Sequence, residues 1–319
     1  MEYVLGVDAG GTKFLVRACD LQGNMLAEHT VRTSIYKPDP QETRKEIRSI
    51  FDTLLEKFGG RPEDCRYLVV GSFGVDSPEL QKMIDDMYRD IYPCPFLTIN
   101  DAEIALYAAT GGVGALVIGG TGAIATGCNS KGETTRSGGW GCNLHSDLGS
   151  GTDISLWALH YVSLYYDKLI PISPMIQMLI EECGVTIHRL MELSLQFGVN
   201  RAALPGIPAL VDRAYAVGDE HAKKILEDAA NNLAWLGETI VTKLHLDEEP
   251  TFKMAVWGSV ALKSPYIYPM IKQRWEEKYP NVEVVYPTAD AAAGAIQMAL
   301  EMLEHKTDHS SKRYHVTVD

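Results

Sequence analysis

The first third of the chain consists of short apolar runs that are separated by turn-forming residues. The runs at 2–8, 14–19 and 25–33 flank the Gly-Gly-Thr-Lys segment at 10–13 and the segment Asp20–Asn24. Short apolar runs joined by Gly and Asn turns are typical of strands that follow one another in a meander. We therefore predict three consecutive strands that pair as hairpins.

Apolar positions then take on helical spacing, and strands and helices alternate up to residue 110. Between Gln41 and Phe58, apolar side chains recur every three or four residues, which indicates an amphipathic helix. We predict buried strands at Tyr67–Gly71 and Phe96–Ile99. Further helices are predicted to begin at Pro78, since Pro suits a first helical turn, and to span Asp101–Ala109. The order βββαβαβα predicts a mixed sheet with an antiparallel side and a parallel side.

The opening pattern recurs after residue 111. Strands are predicted at Ala115–Ile118 and Ala123–Cys128, and the turn Gly119–Gly122 between them again contains Gly-Gly-Thr. A turn of five polar or small residues, 129–133, follows the second strand. This weak internal repeat suggests two copies of one architecture.

The remainder of the chain is mostly helical. Residues 152–246 are predicted to form helices, and Glu220–Leu246 carries a single apolar stripe along its length. Strands are predicted at Phe252–Val256 and Val282–Tyr286, followed by a helix from Ala289 to Leu303 that is rich in small residues.

Composition places the chain among globular proteins of about two domains. The chain has 319 residues, of which 46% are apolar and 22% are charged. Its 29 Lys and Arg residues against 42 Asp and Glu residues give a net charge of −13, without a basic stripe. Nucleic acid is therefore not expected as a partner. An anionic substrate is not excluded, because backbone N–H groups and Mg²⁺ can hold phosphate locally.

Cysteine usage and hydropathy predict a cytoplasmic protein without a membrane partner. The six cysteines are at least 14 residues apart, so there is no C-x-x-C pair, and scattered thiols suit a reducing compartment. The start Met-Glu-Tyr does not resemble a signal peptide. Residues 104–130 lack charge, but seven of them are Gly, which favours a helix end and two strands over a membrane span.

The first candidate for chemistry is the turn after the first predicted strand. Gly10, Gly11, Thr12 and Lys13 can present N–H groups to a phosphate, and Asp8 can hold Mg²⁺ through water. The alternative is an ordinary hairpin turn with a capping Asp. The spacing matches neither the P-loop nor the dinucleotide-binding pattern.

The second candidate is the turn that contains Gly120, Thr121 and Gly122. The same reasoning applies to it, and the alternative is again a simple hairpin. Of the 28 glycines, 13 lie in residues 111–151, which indicates unusual backbone angles or close approach to a ligand. Two such turns together could grip a polyphosphate.

The third candidate lies where a strand meets a helix, at Asn100-Asp101. Ligands of open α/β sheets bind at the carboxyl ends of strands, and a carboxylate there could accept a proton from an attacking hydroxyl. The alternative is that Asp101 caps the helix.

Two further segments have residue types suited to a sugar and to a base. Gly138, Gly139 and Trp140, with Asp147 downstream, combine an apolar ring with a carboxylate that can bind hydroxyls. The alternative is a glycine-rich loop in which Asp147 caps the following helix and His145 is structural. The Gly258-Ser259 step is small enough to admit a flat base.

Taken in order, these segments resemble the sugar kinase–actin–heat-shock ATPase superfamily. The closer resemblance is to the BadF/BadG/BcrA/BcrD ATPase family, in particular its N-acetylglucosamine kinase-like members. The segments that carry the resemblance are the two phosphate loops, the aspartate segment, the glycine-containing turn after the fourth strand, the Trp loop and the adenosine loop: 8–13, 119–122, 100–102, 71–76, 138–150 and 258–260.

The resemblance implies an α/β fold of two ribonuclease H-like domains, the actin-like ATPase fold, with ATP and sugar in the interdomain cleft. The first domain would be 1–110, with the final helix at about 288–304 packed back on it. The second would be 111–287, with a helical insertion at about 152–246, followed by a polar tail at 305–319.

The resemblance also implies roles for single residues. Asp101 would be the base, and ATP with Mg²⁺ the phosphate donor, with Asp8 holding Mg²⁺ through water. The two turns would bind the phosphates, and Gly258 and Ser259 the adenosine. The residues that would bind the sugar are Asn100, Asp101, Gly138, Gly139, Trp140 and Asp147. The activity would be phosphorylation of N-acetylglucosamine or a related amino sugar such as N-acetylmuramate or glucosamine.

Two departures from the family pattern concern the sugar. Residues 33–38 (TSIYKP) replace a segment in which related kinases carry Asn and Trp, and Lys37 would suit an acidic acceptor. The segment 145–147 lacks the usual Gly before Asp147. The reaction type is therefore better supported than the acceptor. A homodimer is considered on the general frequency of dimers, and no sequence pattern indicates one.

Two alternatives stay open. One is the ATPase that activates 2-hydroxyacyl-CoA dehydratases or benzoyl-CoA reductase, which holds an iron–sulfur cluster with two cysteines from each subunit. The surroundings of Cys128 and Cys142 do not resemble the cysteine segments of those activators. The other is a non-enzymatic nucleotide switch of the actin or chaperone type.

Overall fold

The computed structural model describes most of the chain, and its contacts divide the chain into two compact units. The described residues are 1–10, 13–32, 39–73, 75, 77–89, 91–141, 144, 146–196 and 206–304. The first unit comprises residues 1–114, 127–135 and 286–319, and the second comprises 115–126 and 136–285. The expectations for Gly11, Thr12, residues 33–38, His145 and the tail at 305–319 lie outside the described residues.

The first unit is built on a mixed five-stranded sheet with the order β3-β2-β1-β4-β5. Strands β1, β2 and β3 pair antiparallel, whereas β1, β4 and β5 pair parallel. The strands are β1 (Tyr3–Ala9), β2 (Phe14–Asp20), β3 (Met25–Val31), β4 (Cys65–Ser72) and β5 (Phe96–Asn100). The mixed sheet predicted from the order of elements is confirmed.

Helices cover this sheet, and capping residues fix where each one begins. The helices are α1 (Pro40–Phe58), α2 (Pro78–Tyr88), α3 (Asp101–Thr110) and α11 (Ala291–Leu303). Asp39 caps α1, and Ser77 caps α2 with Pro78 in the first turn, as its sequence predicts. The core between sheet and helices is apolar, and its largest buried side chains include Tyr3, Leu5, Phe14, Ile47, Phe51, Leu54 and Tyr88.

Helix α11 lies against the backbone of β1 and α3, and two glycines make this possible. A Cβ atom on Gly6 would lie 2.8 Å from the carbonyl oxygen of Ala292, and one on Gly294 would lie 2.0 Å from that of Ile104. Neither side chain could be accommodated without moving backbone. The small residues at the start of α11 therefore place this helix directly on β1.

The second unit repeats the same sheet topology. Its strands are β6 (Gly114–Gly119), β7 (Ala123–Cys128), β8 (Thr134–Gly138), β9 (Phe252–Trp257) and β10 (Val282–Val285). Their order is β10-β9-β6-β7-β8, so the first strand again lies in the middle, flanked by the second and the fourth. The internal repeat suggested by the two Gly-Gly-Thr turns is thus a repeat of topology.

Strand β8 was not predicted from the sequence. Its five residues, Thr134–Gly138, include no apolar side chain, and all of them are only half-buried. Pairing with β7 at the edge of the sheet holds them extended, and that is a tertiary effect that no local pattern reveals.

The helices of the second unit pack around one core. They are α4 (Gly151–Tyr166), α5 (Pro174–Cys183), α6 (Ile187–Gln196), α7 (Ile207–Ala216), α8 (Glu220–Leu244), α9 (Ser259–Lys263) and α10 (Ile267–Lys278). Trp275 is fully buried beside α8, and its indole N–H donates to the carbonyl of Ala234 at 3.1 Å. Within the described ranges, no helix is both long and apolar enough to cross a membrane.

Candidate active site

The first glycine turn joins β1 to β2 and brings a carboxylate next to a lysine. Asp8 lies near the end of β1, and its Oδ2 is 3.6 Å from the Nζ of Lys13. Burial raises the pKa of Asp8, and the nearby Asp290 adds to the rise, while the Lys13 ammonium opposes it. At Gly10, the nearest atom of a described residue to an added Cβ is the carbonyl oxygen of Lys13, at 3.5 Å.

Asp8 suits the Mg²⁺ role predicted for it. Its carboxylate is the hard oxygen ligand that Mg²⁺ prefers, and one protein carboxylate with phosphates and waters is a common way of binding this ion. Among the described residues, no group of three or more His, Cys, Asp or Glu side chains forms a metal cluster. A site built from Asp8 would therefore depend on the phosphates of a bound nucleotide.

Asp290 lies at the N-terminus of α11 and forms an ion pair with Arg17 on β2. Its carboxylate accepts two hydrogen bonds from Arg17, at 2.8 and 2.7 Å, and also caps α11 by accepting from the N–H of Ala293. Glu28 on β3 binds the same guanidinium at 2.8 Å. The sequence analysis did not select Arg17 or Asp290, although an Asp before a run of small helical residues is a recognisable capping pattern.

At the strand-to-helix junction, Asn100 and Asp101 occupy different positions relative to the start of α3. The residue that caps α3 is Asn100, not Asp101: its side-chain oxygen accepts from the N–H of Ala102 at 2.9 Å, and Glu103 completes a capping box. Asp101 is the first residue of the helix and is only half-buried. The capping alternative for Asp101 is therefore wrong.

Strand register places this junction and the first glycine turn at the same edge of the sheet. Ala9 pairs with Ser72, and Ser72 pairs with Asn100, across the parallel strands β1, β4 and β5. Adjacent strands are about 4.8 Å apart, so the backbones at Gly10 and Asp101 are roughly 10 Å apart across the sheet. The carboxyl ends of these strands thus bring together Asp8, Lys13 and Asp101.

The second glycine turn, between β6 and β7, is fixed by the N-terminus of α4. The N–H of Gly151 donates to the carbonyl of Gly120 at 2.8 Å, and the Thr152 hydroxyl donates to the carbonyl of Thr121 at 2.8 Å. In a trans peptide the N–H points opposite to the carbonyl. The N–H groups of Thr121 and Gly122 therefore point away from α4, as a phosphate-binding turn requires.

The structure brings the adenosine candidate next to this turn. Gly258 follows β9, which pairs parallel to β6, and a Cβ at Gly258 would lie 2.5 Å from the carbonyl oxygen of Gly119. The φ angle of Gly258 is +99°, a region that favours glycine. Both constraints explain why glycine occupies this position.

Asp147 faces the second glycine turn. It is buried, its Oδ1 accepts from the N–H of Ala123 at 3.5 Å, and a Cβ on Gly122 would lie 3.2 Å from its Oδ2. Ser150, not Asp147, caps α4. The capping alternative for Asp147 is wrong too, and the carboxylate instead lies against the predicted phosphate turn.

The predicted Trp loop begins with two glycines in left-handed conformation. Gly138 and Gly139 have φ angles of +75° and +73°, and Gly139 donates its N–H to the carbonyl of Ala123 at 2.9 Å. The next residue, Trp140, is 57% exposed, and the Arg136 guanidinium lies 4.9 Å from its ring centre. The loop therefore presents an indole face at the surface of the second unit.

Two five-stranded sheets of the same 3-2-1-4-5 topology, each covered by helices, define the α/β proteins with two ribonuclease H-like domains, the actin-like ATPase fold. A solved structure of an N-acetylglucosamine kinase candidate from Chromobacterium violaceum has this fold. It matches with a TM-score of 0.74 at 21% identity, over 94% of this chain and 99% of that one.

The chain belongs to the BadF/BadG/BcrA/BcrD ATPase family, whose model matches residues 5–299. It is 30% identical over 320 residues to the N-acetyl-D-glucosamine kinase of Dictyostelium discoideum, and 29% identical over 306 residues to the N-acetylmuramic acid/N-acetylglucosamine kinase of Clostridium acetobutylicum. Each match covers 94% of this chain and 98% of the relative. The resemblance stated from the motifs is confirmed.

Proposed function

We propose that the protein transfers the γ-phosphoryl group of ATP to a hydroxyl group of an amino sugar, with N-acetylglucosamine as the first candidate. Membership of an ATPase family supports the phosphate donor, and the names of the two relatives support the acceptor class. The observation that carries the proposal is the position of Asp101. Asp101 is not the N-cap of α3, and it lies at the same sheet edge as the first glycine turn.

In this proposal Asp101 is the general base. It accepts the proton of the sugar hydroxyl while the hydroxyl oxygen forms a bond to the γ-phosphorus, and the bond from that phosphorus to the bridging oxygen breaks to release ADP. Asn100 and Glu103 hold the start of α3 and thereby orient Asp101. A sugar-binding role for Asn100 itself stays a prediction.

The two glycine turns are proposed to hold the phosphates. The N–H groups of Thr121 and Gly122 supply donors that need no reorientation, since α4 fixes the turn from behind. Gly10 and Lys13 contribute from the first turn, with Gly11 and Thr12 assigned by the resemblance alone. Mg²⁺ bound near Asp8 would neutralise charge on the phosphate oxygens.

Trp140 and Asp147 are proposed to bind the sugar, together with Gly138 and Gly139. An exposed indole face suits the apolar face of a pyranose ring, and Oδ2 of the buried Asp147 carboxylate can accept a hydrogen bond from a hydroxyl, since Oδ1 accepts from Ala123. N-acetylmuramate and glucosamine stay as alternative acceptors. The cytoplasmic location and the homodimer stay predictions.

The test is ADP release from Mg-ATP with a panel of sugars. The panel comprises glucose, glucosamine, N-acetylglucosamine, N-acetylmannosamine and N-acetylmuramate. We expect strong release with one amino sugar and a loss of at least a hundredfold in kcat in Asp101→Asn, since the amide cannot accept the proton. Glu103→Gln is the matched control in the same helix, because Gln preserves a capping box.

The proposal fails if no sugar increases ADP release while basal ATP hydrolysis persists. It also fails if Asp101→Asn and Glu103→Gln retain equal sugar-dependent activity. Calorimetric binding of the sugar to Asp101→Asn separates lost catalysis from lost binding.

A further inference from the structure

A cavity of about 250 Å³ lies in the second unit beside the Gly258-Ser259 turn. Its size is below the roughly 300–1,000 Å³ of sites for whole drug-sized ligands, so it suits one flat heteroaromatic fragment. Among the described residues, apolar side chains supply most of the lining, together with one carboxylate, from α7, and the Lys263 side chain. The lining residues used below are Pro208, Asp212, Ser259, Val260 and Ser264.

The position of the cavity relates it to the second phosphate turn. Ser259 and Val260 belong both to the cavity wall and to the segment that follows β9, and the adjoining Gly258 touches the backbone of Gly119. A nucleotide whose phosphates lie on the turn at 120–122 would extend from there along α9. Its base would then reach a cavity with apolar faces, formed by side chains such as Pro208 and Val260.

Asp212 is the acidic group in the lining of this cavity, and its carboxylate is held in one orientation. Oδ1 accepts from the Ser264 hydroxyl at 2.6 Å. The Ser264 oxygen in turn accepts from the N–H groups of Tyr266 and Ile267, both at 3.3 Å, so the hydroxyl proton is committed to Asp212. No described residue donates to the other oxygen, Oδ2. Burial raises the pKa of Asp212, and the hydrogen bond from Ser264 opposes the rise.

We propose that Asp212 determines which purine the enzyme accepts. Its Oδ2 accepts a hydrogen bond from the 6-amino group of the base, and the same oxygen repels a carbonyl oxygen at position 6. The inference rests on the proposed use of ATP and identifies Asp212 as the residue that recognises the base. It predicts selectivity for 6-aminopurine nucleotides over 6-oxopurine nucleotides.

The orientation of Asp212 makes a reversal of specificity testable. In Asp212→Asn, Ser264 would still donate to the side-chain oxygen, which directs the amide NH₂ group toward the cavity. An NH₂ group repels the 6-amino group of adenine and donates to the 6-oxo group of hypoxanthine. The substitution should therefore favour ITP over ATP.

The experiment measures Kd and kcat/KM for ATP, ITP and purine riboside triphosphate, which lacks the 6-amino group. For the unaltered protein we expect ATP to be favoured about ten- to hundredfold over both others, the range of one hydrogen bond to a charged group. For Asp212→Asn we expect ITP to be favoured over ATP. Asp228→Asn is the matched control, since Asp228 is exposed on α8 and pairs with Lys224 at 3.0 Å.

The outcomes distinguish failure of the Asp212 inference from failure of the proposed kinase function. If the ratio of kcat/KM for ATP to kcat/KM for ITP is unchanged in Asp212→Asn, the inference is overturned. This holds even if the variant unfolds at a lower temperature, because Asp212 would then only stabilise the turn at Ser264. ATP-selective binding that reverses in the variant supports the inference even if no sugar is phosphorylated. In that case the proposed kinase function fails on its own.

Discussion

The sulfur atoms of Cys65 and Cys94 lie 3.5 Å apart in the first unit. Cys65 is buried at the start of β4, and Cys94 is partly exposed just before β5. The hydrogen bond that Cys65 shares with Cys94, together with burial, raises the pKa of Cys65, and the same hydrogen bond lowers the pKa of Cys94. Because Cys94 is the more exposed of the two, we expect an oxidant to reach Cys94 first.

We expect mild oxidation to join these two residues in a disulfide. Hydrogen peroxide would take the two thiol protons and two electrons and leave as two water molecules, and the sulfurs would close to about 2.05 Å. The bridge should raise the free energy of unfolding by about 2–4 kcal/mol. Mass spectrometry of non-reduced peptides and a chemical denaturation curve measure both effects.

Cys183 provides the control for this oxidation, because it is an exposed thiol on α5. Cys183→Ser should still form the bridge, whereas Cys94→Ser should not. Peroxide treatment that converts Cys94 to a sulfinic acid without linking Cys65 would contradict the prediction.

Glu238 is the centre of a buried ionic group in the second unit. Its side chain is 5% exposed and accepts hydrogen bonds from Arg274 and Lys278, each at 2.6 Å. Burial raises its pKa, but the hydrogen bonds from Arg274 and Lys278 outweigh burial, and the net pKa is lowered. Because the folded pKa is depressed, the contribution to stability is present above the ordinary Glu pKa and is lost as pH falls through the folded value.

Glu238→Gln should therefore lower the free energy of unfolding by about 2 kcal/mol at pH 7. The loss is not larger because Arg274 and Lys278 are partly exposed, so water can solvate their charges when the carboxylate is removed. The difference from the unaltered protein should shrink as pH falls below about 4. Urea denaturation at several pH values measures this. Glu248→Gln is the control, since Glu248 is 78% exposed, and an equal pH dependence in both variants would refute the assignment.

Gly294 is the point of closest approach between α11 and α3. Gly294→Ala would place a Cβ 2.0 Å from the carbonyl oxygen of Ile104, so backbone must shift. We expect a loss of about 1–3 kcal/mol in the free energy of unfolding, or more if α11 detaches. Denaturation monitored by circular dichroism tests this. A variant as stable as the unaltered protein would mean that α11 lies further from α3.

Gly120 offers the opposite case, because a Cβ there would meet no atom of the described residues within 4 Å. Gly120→Ala should unfold within about 0.5 kcal/mol of the unaltered protein. If the turn binds phosphate, the added methyl group should nevertheless lower kcat/KM for ATP at least tenfold, because glycine permits the closest backbone approach. Full activity in a stable Gly120→Ala variant would remove the turn from the phosphate site.

Trp140 and Trp235 are a matched pair for locating the sugar. Each is 57% exposed, but Trp140 is in the predicted sugar loop and Trp235 is on α8. Addition of the preferred sugar should change the intrinsic fluorescence of the unaltered protein and of Trp235→Phe. The change should be absent in Trp140→Phe, and KM for the sugar should rise severalfold, because the Phe ring is a smaller stacking face than the indole. A response carried by Trp235 would place the sugar elsewhere.

Local sequence patterns predicted the strands of the first sheet and most of the helices, whereas β8 was not predicted. The positions of Ser77 before Pro78 and of the two Gly-Gly-Thr turns were visible because each depends on residues a few positions apart. The assignment of the cap to Asn100 rather than Asp101 was not visible, since both residue types cap helices equally well.

Relationships between distant residues could not be predicted from the sequence. Cys65 and Cys94 meet only because β4 and β5 are neighbours in the sheet, and Arg17 meets Asp290 only because α11 returns to β2. Asp212 has no motif around it, and its interest comes from Ser264 and the cavity. Such pairings arise from topology, which the spacing of apolar residues constrains but does not specify.

The packing of α11 on β1 and α3 has a consequence for synthesis of the chain on the ribosome. All of the second unit lies before residue 286 in the sequence, so its chain is synthesised before α11. The first unit also needs α11, which packs on the backbone at Gly6 and Ile104. The unit whose synthesis begins first is therefore completed last, and a chain truncated before residue 291 would lack the helix that packs on this part of the first sheet.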